Sequence, residues 1–270
     1  MDNRRIGLFD SGLGGLTVMK ELMALLPNES IVYFGDTGRI PYGSKSVNTV
    51  IKYTKSDINF LNTFDLKAII AACGTVSSIA LPHLRGAYDV PIMGVVASAA
   101  RAAARATKNG CIGVIGTAGT IRSGAYRKIL AKENPVLRTV AVACPLFVHL
   151  VEGGFATKEA ARLVAEEYLA PIRESGADTL ILGCTHYPLL RQVITQVLGE
   201  HVTLINPGYS AALEIKEKLA SADMLAETPA HDQYRFYVSD DPADFTRLGS
   251  VFLERPIEGL AEQVDIEQYL

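Results

Sequence analysis

Two cysteines stand at matching points of two similar stretches of the chain. Cys73 and Cys184 each end a short apolar run, and a threonine follows each within two residues, Thr75 and Thr185. If the two stretches fold alike and face each other, both thiols point into one cleft from opposite sides. Such a pair could remove a proton from one face of a carbon atom and return one to the other face. The placement therefore predicts two-base proton transfer.

The neighbours of these thiols could supply the activation that this chemistry needs. A thiol with an ordinary pKa of about 8.5 is only a few per cent ionised at neutral pH. Hydrogen bonds from Gly74 or His186, and the start of a following helix, would favour the thiolate. A cysteine taken alone is more often a small buried apolar side chain, and we interpret Cys111 and Cys144 in that way.

The elements that would position the thiols alternate along the chain. Short β-branched runs predict strands, and runs with helical periodicity predict helices. Strands are predicted at 5–10, 30–35, 67–73, 92–95, 111–116, 138–144, 178–183, 202–206 and 234–239. Helices are predicted at 15–26, 46–64, 75–86, 97–107, 120–133, 158–175, 188–198, 209–221 and 242–253. Ser46 is a suitable N-cap for the second helix, and Pro171 is predicted to kink or end the sixth.

This alternation predicts the fold class. Strands and helices in turn are typical of an α/β protein whose parallel sheets carry helices on both faces. The two similar stretches predict two pseudo-symmetric lobes, with the active site in the cleft between them. We divide the chain into a first lobe of residues 1–97 plus 208–270 and a second lobe of residues 98–207. Such sheets bind ligands beyond the carboxyl ends of their strands, where both thiols are expected.

Composition excludes several classes of protein. The chain has 270 residues, of which 49% are apolar and 20% charged, with a net charge of −3. These values predict a large core in one or two domains and no basic surface for nucleic acid. No apolar run reaches the about 18 residues of a membrane span, and we expect a cytoplasmic protein. The four cysteines and scattered histidines match no zinc spacing, so we expect free thiols and no metal.

Two glycine-rich connections could bind an anion. Residues 10–15 follow a strand and open a helix, but Thr17 breaks the dinucleotide fingerprint, and a tight turn capped by Asp10 explains the segment equally well. In the long loop 35–46, the segment 41–43 could present backbone N–H groups to a carboxylate, or it could simply pack as a surface loop. The sequence leaves both pairs of interpretations open.

Two other functions compete with two-base proton transfer. A nucleotide- or phosphate-binding protein built on residues 12–15 would be indifferent to the loss of both thiols. A thiol hydrolase would pair Cys184 with His186, but near neighbours in sequence seldom form such a pair, and Cys73 would have no role. The remaining histidines have no polar constellation around them, and we interpret them as structural or exposed: His83, His149, His201 and His231.

Several motifs, taken together and in order, resemble a known family. They are Phe9-Asp10-Ser11-Gly12-Leu13-Gly14-Gly15, Gly35-Asp36-Thr37 with Pro41-Tyr42-Gly43, Cys73-Gly74-Thr75, Gly116-Thr117 with Gly119-Thr120, Ala143-Cys144-Pro145-Leu146, and Gly183-Cys184-Thr185-His186-Tyr187-Pro188. This set is similar to the glutamate racemases of the cofactor-independent aspartate/glutamate racemase superfamily. The likeness runs from residue 6 to about residue 208, and the segment after about 222 carries little of it.

The resemblance implies roles for named residues. Cys73 and Cys184 would be the two acid/bases, and Asp10, Glu152 and His186 would assist them. The substrate would be held by Asp10, Ser11, Pro41, Tyr42, Gly43, Gly74, Thr75, Thr117, Thr120, Thr185 and His186. The resemblance also implies glutamate as substrate, no cofactor, a homodimer, and supply of D-glutamate for bacterial peptidoglycan synthesis. A related aspartate or broad-range racemase is the alternative.

The chain departs from the family pattern at three positions. Many relatives carry Asn where Gly74 stands, Pro where His149 stands, and Glu where Gly153 stands. An Asn side chain after the first cysteine would contact the substrate. Its hydrogen bond must therefore come from elsewhere in this chain, such as the backbone N–H of Gly74 or the hydroxyl of Ser77 or Ser78.

Overall fold

The fold is described by a computed structural model that covers residues 2–257, 259 and 261–270. Its strands are β1 (Arg5–Asp10), β2 (Ile31–Gly35), β3 (Leu66–Ala71), β4 (Ile92–Gly94), β5 (Cys111–Gly116), β6 (Arg138–Ala143), β7 (Thr179–Leu182), β8 (Thr203–Ile205), β9 (Tyr234–Val238) and β10 (Glu262–Gln263). Its helices are α1 (Leu16–Leu25), α2 (Val47–Leu61), α3 (Gly74–Ile79), α4 (Val95–Ala106), α5 (Ala118–Ser123), α6 (Ala125–Glu133), α7 (Leu146–Glu152), α8 (Glu159–Glu174), α9 (Arg191–Leu198), α10 (Pro207–Ser221) and α11 (Pro242–Leu253).

The strands form two separate parallel sheets. The first sheet has the order β10-β9-β2-β1-β3-β4, and the second has the order β6-β5-β7-β8. Neighbouring strands run parallel in both sheets. Helices flank the sheets, so the predicted α/β class with two parallel sheets is confirmed.

The central strands are buried on both faces, as parallel strands between two layers of helices must be. In β1, Ile6, Leu8 and Phe9 have no exposed surface, and β3 and β7 are buried throughout. Each such apolar side chain stabilises the fold by about 1.5–3 kcal/mol relative to an exposed one. The strands that precede the two cysteines are therefore fixed in a well-packed core.

The lobe boundaries predicted at 97/98 and 207/208 fall inside α4 and α10. These two helices pack against each other. Helix α4 follows β4, an edge strand of the first sheet, and α10 follows β8, an edge strand of the second. The first sheet takes its strands from both ends of the chain, and the second takes them from residues 111–205. The division itself stays a prediction.

The predicted elements differ from the structure at a few places. All nine predicted strands are present, and β10 was missed because it has only two residues. The helix predicted at 120–133 is two helices, since Gly124 takes a left-handed conformation with φ of 66°. The helix predicted at 75–86 ends at Ile79 and continues as a short 3-10 turn.

Three further details concern helices. Ser46 is the N-cap of α2, where its hydroxyl accepts a hydrogen bond from the Thr49 N–H, as predicted. Pro171 lies inside α8 and does not end it. Helix α7 was not predicted at all, and it carries Glu152 as its last residue. Among residues 2–257, 259 and 261–270, no helix is long and apolar enough to cross a membrane.

Candidate active site

The two cysteines follow two strands that meet at their carboxyl ends. Cys73 lies between β3 and α3, and Cys184 comes two residues after the last residue of β7. The backbones touch next to the thiols, because a Cβ atom added to Gly74 would lie 2.4 Å from the carbonyl oxygen of Gly183. This contact is possible only because residue 74 has no side chain. The fold therefore brings together the two strand ends that have similar sequences.

A small cavity of about 80 Å³ opens between these strand ends. Both thiols line it, together with most residues predicted for the site. The predicted site residues that line the cavity are Ser11, Pro41, Tyr42, Gly43, Cys73, Gly74, Thr75, Thr117, Glu152, Cys184, Thr185 and His186. The volume lies well below the roughly 300–1,000 Å³ of pockets for drug-sized ligands. The cavity therefore suits a small substrate.

Two larger grooves lie elsewhere on the molecule. Their volumes are about 780 and 700 Å³, and both border α4 and α10. Ser77 and Ser78, considered above as substitute donors to the substrate, line the second groove, but none of the predicted acid/bases or their assistants lines either one. Nucleophilic and acid–base side chains converge in the smaller cavity, which makes it the candidate active site.

Cys73 has neutral hydrogen-bonding partners. Its Sγ is 3.6 Å from the Ser11 hydroxyl oxygen, and the Val76 backbone N–H also points to it. Burial, and then the negative charge of Asp10, raise the pKa of the Cys73 thiol to about 12. Without substrate, Cys73 is therefore a protonated thiol at neutral pH.

Cys184 lies beside a charged pair. Its Sγ is 3.8 Å from His186 Nδ1, and His186 Nε2 is 2.9 Å from Glu152 Oε1. Burial by itself lowers the pKa of His186, but the hydrogen bonds to Cys184 and Glu152 outweigh it and raise this pKa to about 10. His186 is therefore an imidazolium at neutral pH, and its positive charge lies beside the Cys184 sulfur.

Asp10 lies beneath the cavity and does not line it. The carboxylate is fully buried, and Oδ2 accepts a hydrogen bond from the Gly12 N–H at 3.2 Å. No group among the described residues bonds to Oδ1. Burial raises the pKa of Asp10, and the nearby His186 charge and backbone N–H groups oppose that rise. Asp10 can act on Cys73 through its charge, but it has no direct hydrogen bond to that thiol in the structure.

Three threonine hydroxyls form a chain along the cavity. Thr75 Oγ1 is 2.9 Å from Thr117 Oγ1, which is 3.1 Å from Thr120 Oγ1. Thr117 also caps α5, because its hydroxyl accepts from the Thr120 N–H. Thr75 and Thr117 line the cavity, whereas Thr120 is buried behind them. Thr120 was predicted to lie near the substrate, and here it supports Thr117.

Tyr42 contributes its backbone rather than its hydroxyl. The ring is buried, and the hydroxyl donates to Asp36 Oδ2 and approaches Asp57 Oδ2 at 3.0 Å. Arg39 bridges the same two carboxylates. This buried network anchors the loop 36–44, so that Pro41 and Gly43 border the cavity.

Several cavity residues were missed from the sequence: Gly12, Ile40, Val148, His149 and Gly183. His149 is exposed, in agreement with the interpretation from the sequence, and it also lines the cavity, one turn before Glu152 on α7. A spacing of three residues between His149 and Glu152 was the available signal. It went unused because α7 was not recognised.

The residues at the cavity do not form a metal site. Within the described part of the chain, no group of three His, Cys, Asp or Glu side chains could hold a metal ion. The four cysteines are all free thiols.

Comparison with known proteins identifies the family. A model of the Asp/Glu/hydantoin racemases matches residues 17–215. The chain belongs to this racemase family. The glutamate racemase of Geobacter metallireducens is 46% identical over 98% of this chain and 97% of its own length.

Solved racemases share the whole fold. The glutamate racemase of Francisella tularensis, in complex with D-glutamate, has a TM-score of 0.92 and 40% identity, with full coverage of both chains. The Escherichia coli glutamate racemase, in complex with L-glutamate and the activator UDP-MurNAc-Ala, has a TM-score of 0.76 and 27% identity, covering 92% of this chain and 95% of that one.

Proposed function

We propose that this racemase interconverts L- and D-glutamate by proton transfer at Cα, with Cys73 and Cys184 as the two bases. The observation that carries the proposal is the shared cavity, which both thiols line from the ends of two different sheets. Racemisation without a change of substrate orientation needs an acid and a base on opposite faces of one carbon. Relatives crystallised with D-glutamate and with L-glutamate support the choice of amino acid.

The two thiols would begin a turnover in different protonation states. The Cys184 thiolate, paired with the His186 imidazolium, would take the α-proton of one enantiomer. The neutral Cys73 thiol would give its proton to the opposite face of the carbanion. The opposite enantiomer would need Cys73 as thiolate, stabilised by the Ser11 hydroxyl and the Val76 N–H. Each turnover moves one proton onto one sulfur and one proton off the other.

The carbanion would be stabilised by fixed hydrogen bonds in a water-poor cavity. The α-hydrogen of an amino acid is very weakly acidic, so charge must be spread onto a well-bound α-carboxylate. Hydroxyl donors for it stand around the cavity on Ser11, Thr75, Thr117 and Thr185. Backbone N–H groups of Gly43 and Gly74 are further candidates, in place of the Asn side chain that many relatives carry at position 74.

The proposed assistants act on the two thiols separately. Glu152 would keep His186 charged and oriented, as their 2.9 Å contact supports. Asp10 would keep Cys73 protonated until the substrate arrives, because its charge raises the pKa of that thiol. We further propose a cytoplasmic homodimer that supplies D-glutamate for bacterial peptidoglycan synthesis, as the family resemblance implies.

Circular dichroism of a single glutamate enantiomer tests the proposal. The purified protein without added cofactor should bring either enantiomer to zero ellipticity, and the double variant Cys73→Ala/Cys184→Ala should not. The same assay with aspartate tests the alternative. Comparable rates on aspartate and glutamate would make this a broad-range racemase, and no activity on either would remove the proposal.

A further inference from the structure

Two residues from segments that pack on the first sheet contact the ring of His186. Phe252 meets it edge to face, with the ring centroids 5.2 Å apart at an angle of 85°. Gly14 also lies against the ring, since an added Cβ atom there would be 2.6 Å from His186 Nδ1 and 2.7 Å from Cε1. His186 itself follows β7 of the second sheet. The imidazole thus occupies a socket made by the opposite half of the molecule.

Polar contacts engage both nitrogens of the imidazole. Nδ1 faces Cys184 Sγ and Nε2 faces Glu152, so both nitrogens are already committed. A ring with both nitrogens bonded can still tilt about its Cβ–Cγ bond, and a tilt of 10–20° would lengthen both contacts. Apolar walls oppose such a tilt. They also keep water from the two hydrogen bonds, which strengthens them.

Phe252 is placed firmly enough for this role. It is 3% exposed and lies near the end of α11. Asp241 caps that helix through the N–H groups of Ala243 and Asp244. Gly249 lets the helix approach α1 closely, since a Cβ atom there would lie 2.7 Å from Leu16 Cδ1. Helix α1 begins just after Gly14, so the two walls of the socket belong to one packed unit.

We propose that Phe252 is a positioning residue for His186, which it holds against Gly14 so that the imidazole bridges Cys184 and Glu152. The inference deepens the proposed function and rests on it for its catalytic consequence. The segment after residue 222 showed little family signature, yet through α11 it reaches the acid–base machinery. Phe252 itself does not line the cavity, so its effect on catalysis passes through His186.

The test compares Phe252→Leu with Phe245→Leu, a matched change on the same helix. Phe245 is equally buried but packs on Tyr33 and Phe236, with ring centroids 5.8 and 6.3 Å away. The primary readout is the titration of His186 by NMR of labelled histidine, assigned with His186→Asn. The titratable groups that face His186 are Cys184, Glu152 and Asp10, and both variants keep all three.

We expect Phe252→Leu to move the His186 titration towards its ordinary value by about one pH unit or more, because water then weakens both hydrogen bonds. We expect Phe245→Leu to leave it in place. We also expect kcat for glutamate to fall about tenfold in Phe252→Leu with KM within about twofold, since the substrate contacts remain. Should the Leu variant not fold, Phe252→Met keeps the volume and removes the ring.

Two results would overturn the inference. One is an unchanged His186 titration in folded Phe252→Leu or Phe252→Met, and the other is an equal shift in Phe245→Leu. The NMR readout needs no turnover, so it stands even if the protein proves inactive on glutamate. Gly14→Ala probes the second contact of the ring, and we expect it to shift the His186 titration as well.

Discussion

The two sides of the cavity solve the same problem by different means. Cys73 is surrounded by neutral donors and a buried carboxylate, and its thiol pKa rises to about 12. Cys184 has an imidazolium 3.8 Å from its sulfur, and that imidazolium is itself held by Glu152. One thiol therefore lies near a negative charge and the other beside a positive one. Similar strand ends have thus acquired opposite electrostatic surroundings.

The largest expected effect comes from removing either sulfur. Cys73→Ala and Cys184→Ala should each lower kcat for racemisation at least about a thousandfold, because general acid–base groups contribute about 10²–10⁴-fold each. Circular dichroism of glutamate measures the loss. Cys144→Ala is the control, as Cys144 is buried and does not line the cavity. Substantial turnover by Cys73→Ala or by Cys184→Ala would contradict the two-base mechanism.

The asymmetry between the two sides predicts a difference between their supporting residues. His186→Asn should cost about 10–100-fold in kcat, because a charged partner is lost, whereas Ser11→Ala should cost about tenfold or less. Glu152→Gln, which keeps the shape of the side chain, should fall between them. Initial rates in both directions measure this order. Equal losses for His186→Asn and Ser11→Ala would show that the two sides do not differ as the structure indicates.

The stability and the activity of the protein should both depend on pH through His186. Its pKa is raised from 6.5 to about 10 in the folded protein, so the folded state holds this proton more tightly than the unfolded chain. The stabilisation is complete below pH 6.5 and is lost as the pH rises through about 10. Activity should fall over the same alkaline range. Chemical denaturation between pH 6 and pH 10.5 on the protein and on His186→Asn measures this. Parallel stability curves for the two proteins would contradict it.

The smallest effect should come from the seam, by which we mean the close contact between the backbones of Gly74 and Gly183. Gly74→Ala places a Cβ atom 2.4 Å from the Gly183 carbonyl oxygen, so the backbones must separate. We expect a loss of about 1–3 kcal/mol in unfolding free energy, as for other overpacked sites, with a modest fall in kcat. Gly38→Ala is the control, since its nearest contact is the Ser239 hydroxyl at 3.3 Å in an exposed loop. Equal stability of the two variants would argue against a tight seam.

The strand ends could be predicted from the sequence because the signals there are local. Apolar β-branched runs fix β3 and β7, and a cysteine directly beyond each run must lie at the carboxyl edge of its sheet. Helix α7 was missed because its seven residues lie between Pro145 and two glycines, too short a stretch to show a helical period. The position of His149 at the cavity was missed for the same reason.

Other features could not be predicted because they depend on contacts between distant segments. Nothing local to Phe252 indicates that it packs on His186, which precedes it by 66 positions in the printed sequence. Likewise, the Tyr42 hydroxyl turns away from the cavity because Asp57, on α2, offers it a buried partner. Tertiary packing decides where such side chains point, and a single sequence does not record it.

The central claim is that two different sulfur atoms serve the two faces of Cα, and the early fate of the α-hydrogen tests it most directly. Pure L-glutamate is incubated with the protein in deuterium oxide, and both enantiomers are analysed by mass spectrometry while conversion is below about 5%, with the mirror experiment from D-glutamate. The account predicts that the product enantiomer carries deuterium at Cα from the first turnovers, because the second thiol has exchanged with solvent. Product that retains the original protium would mean that one base returns the same proton, and it would contradict the account.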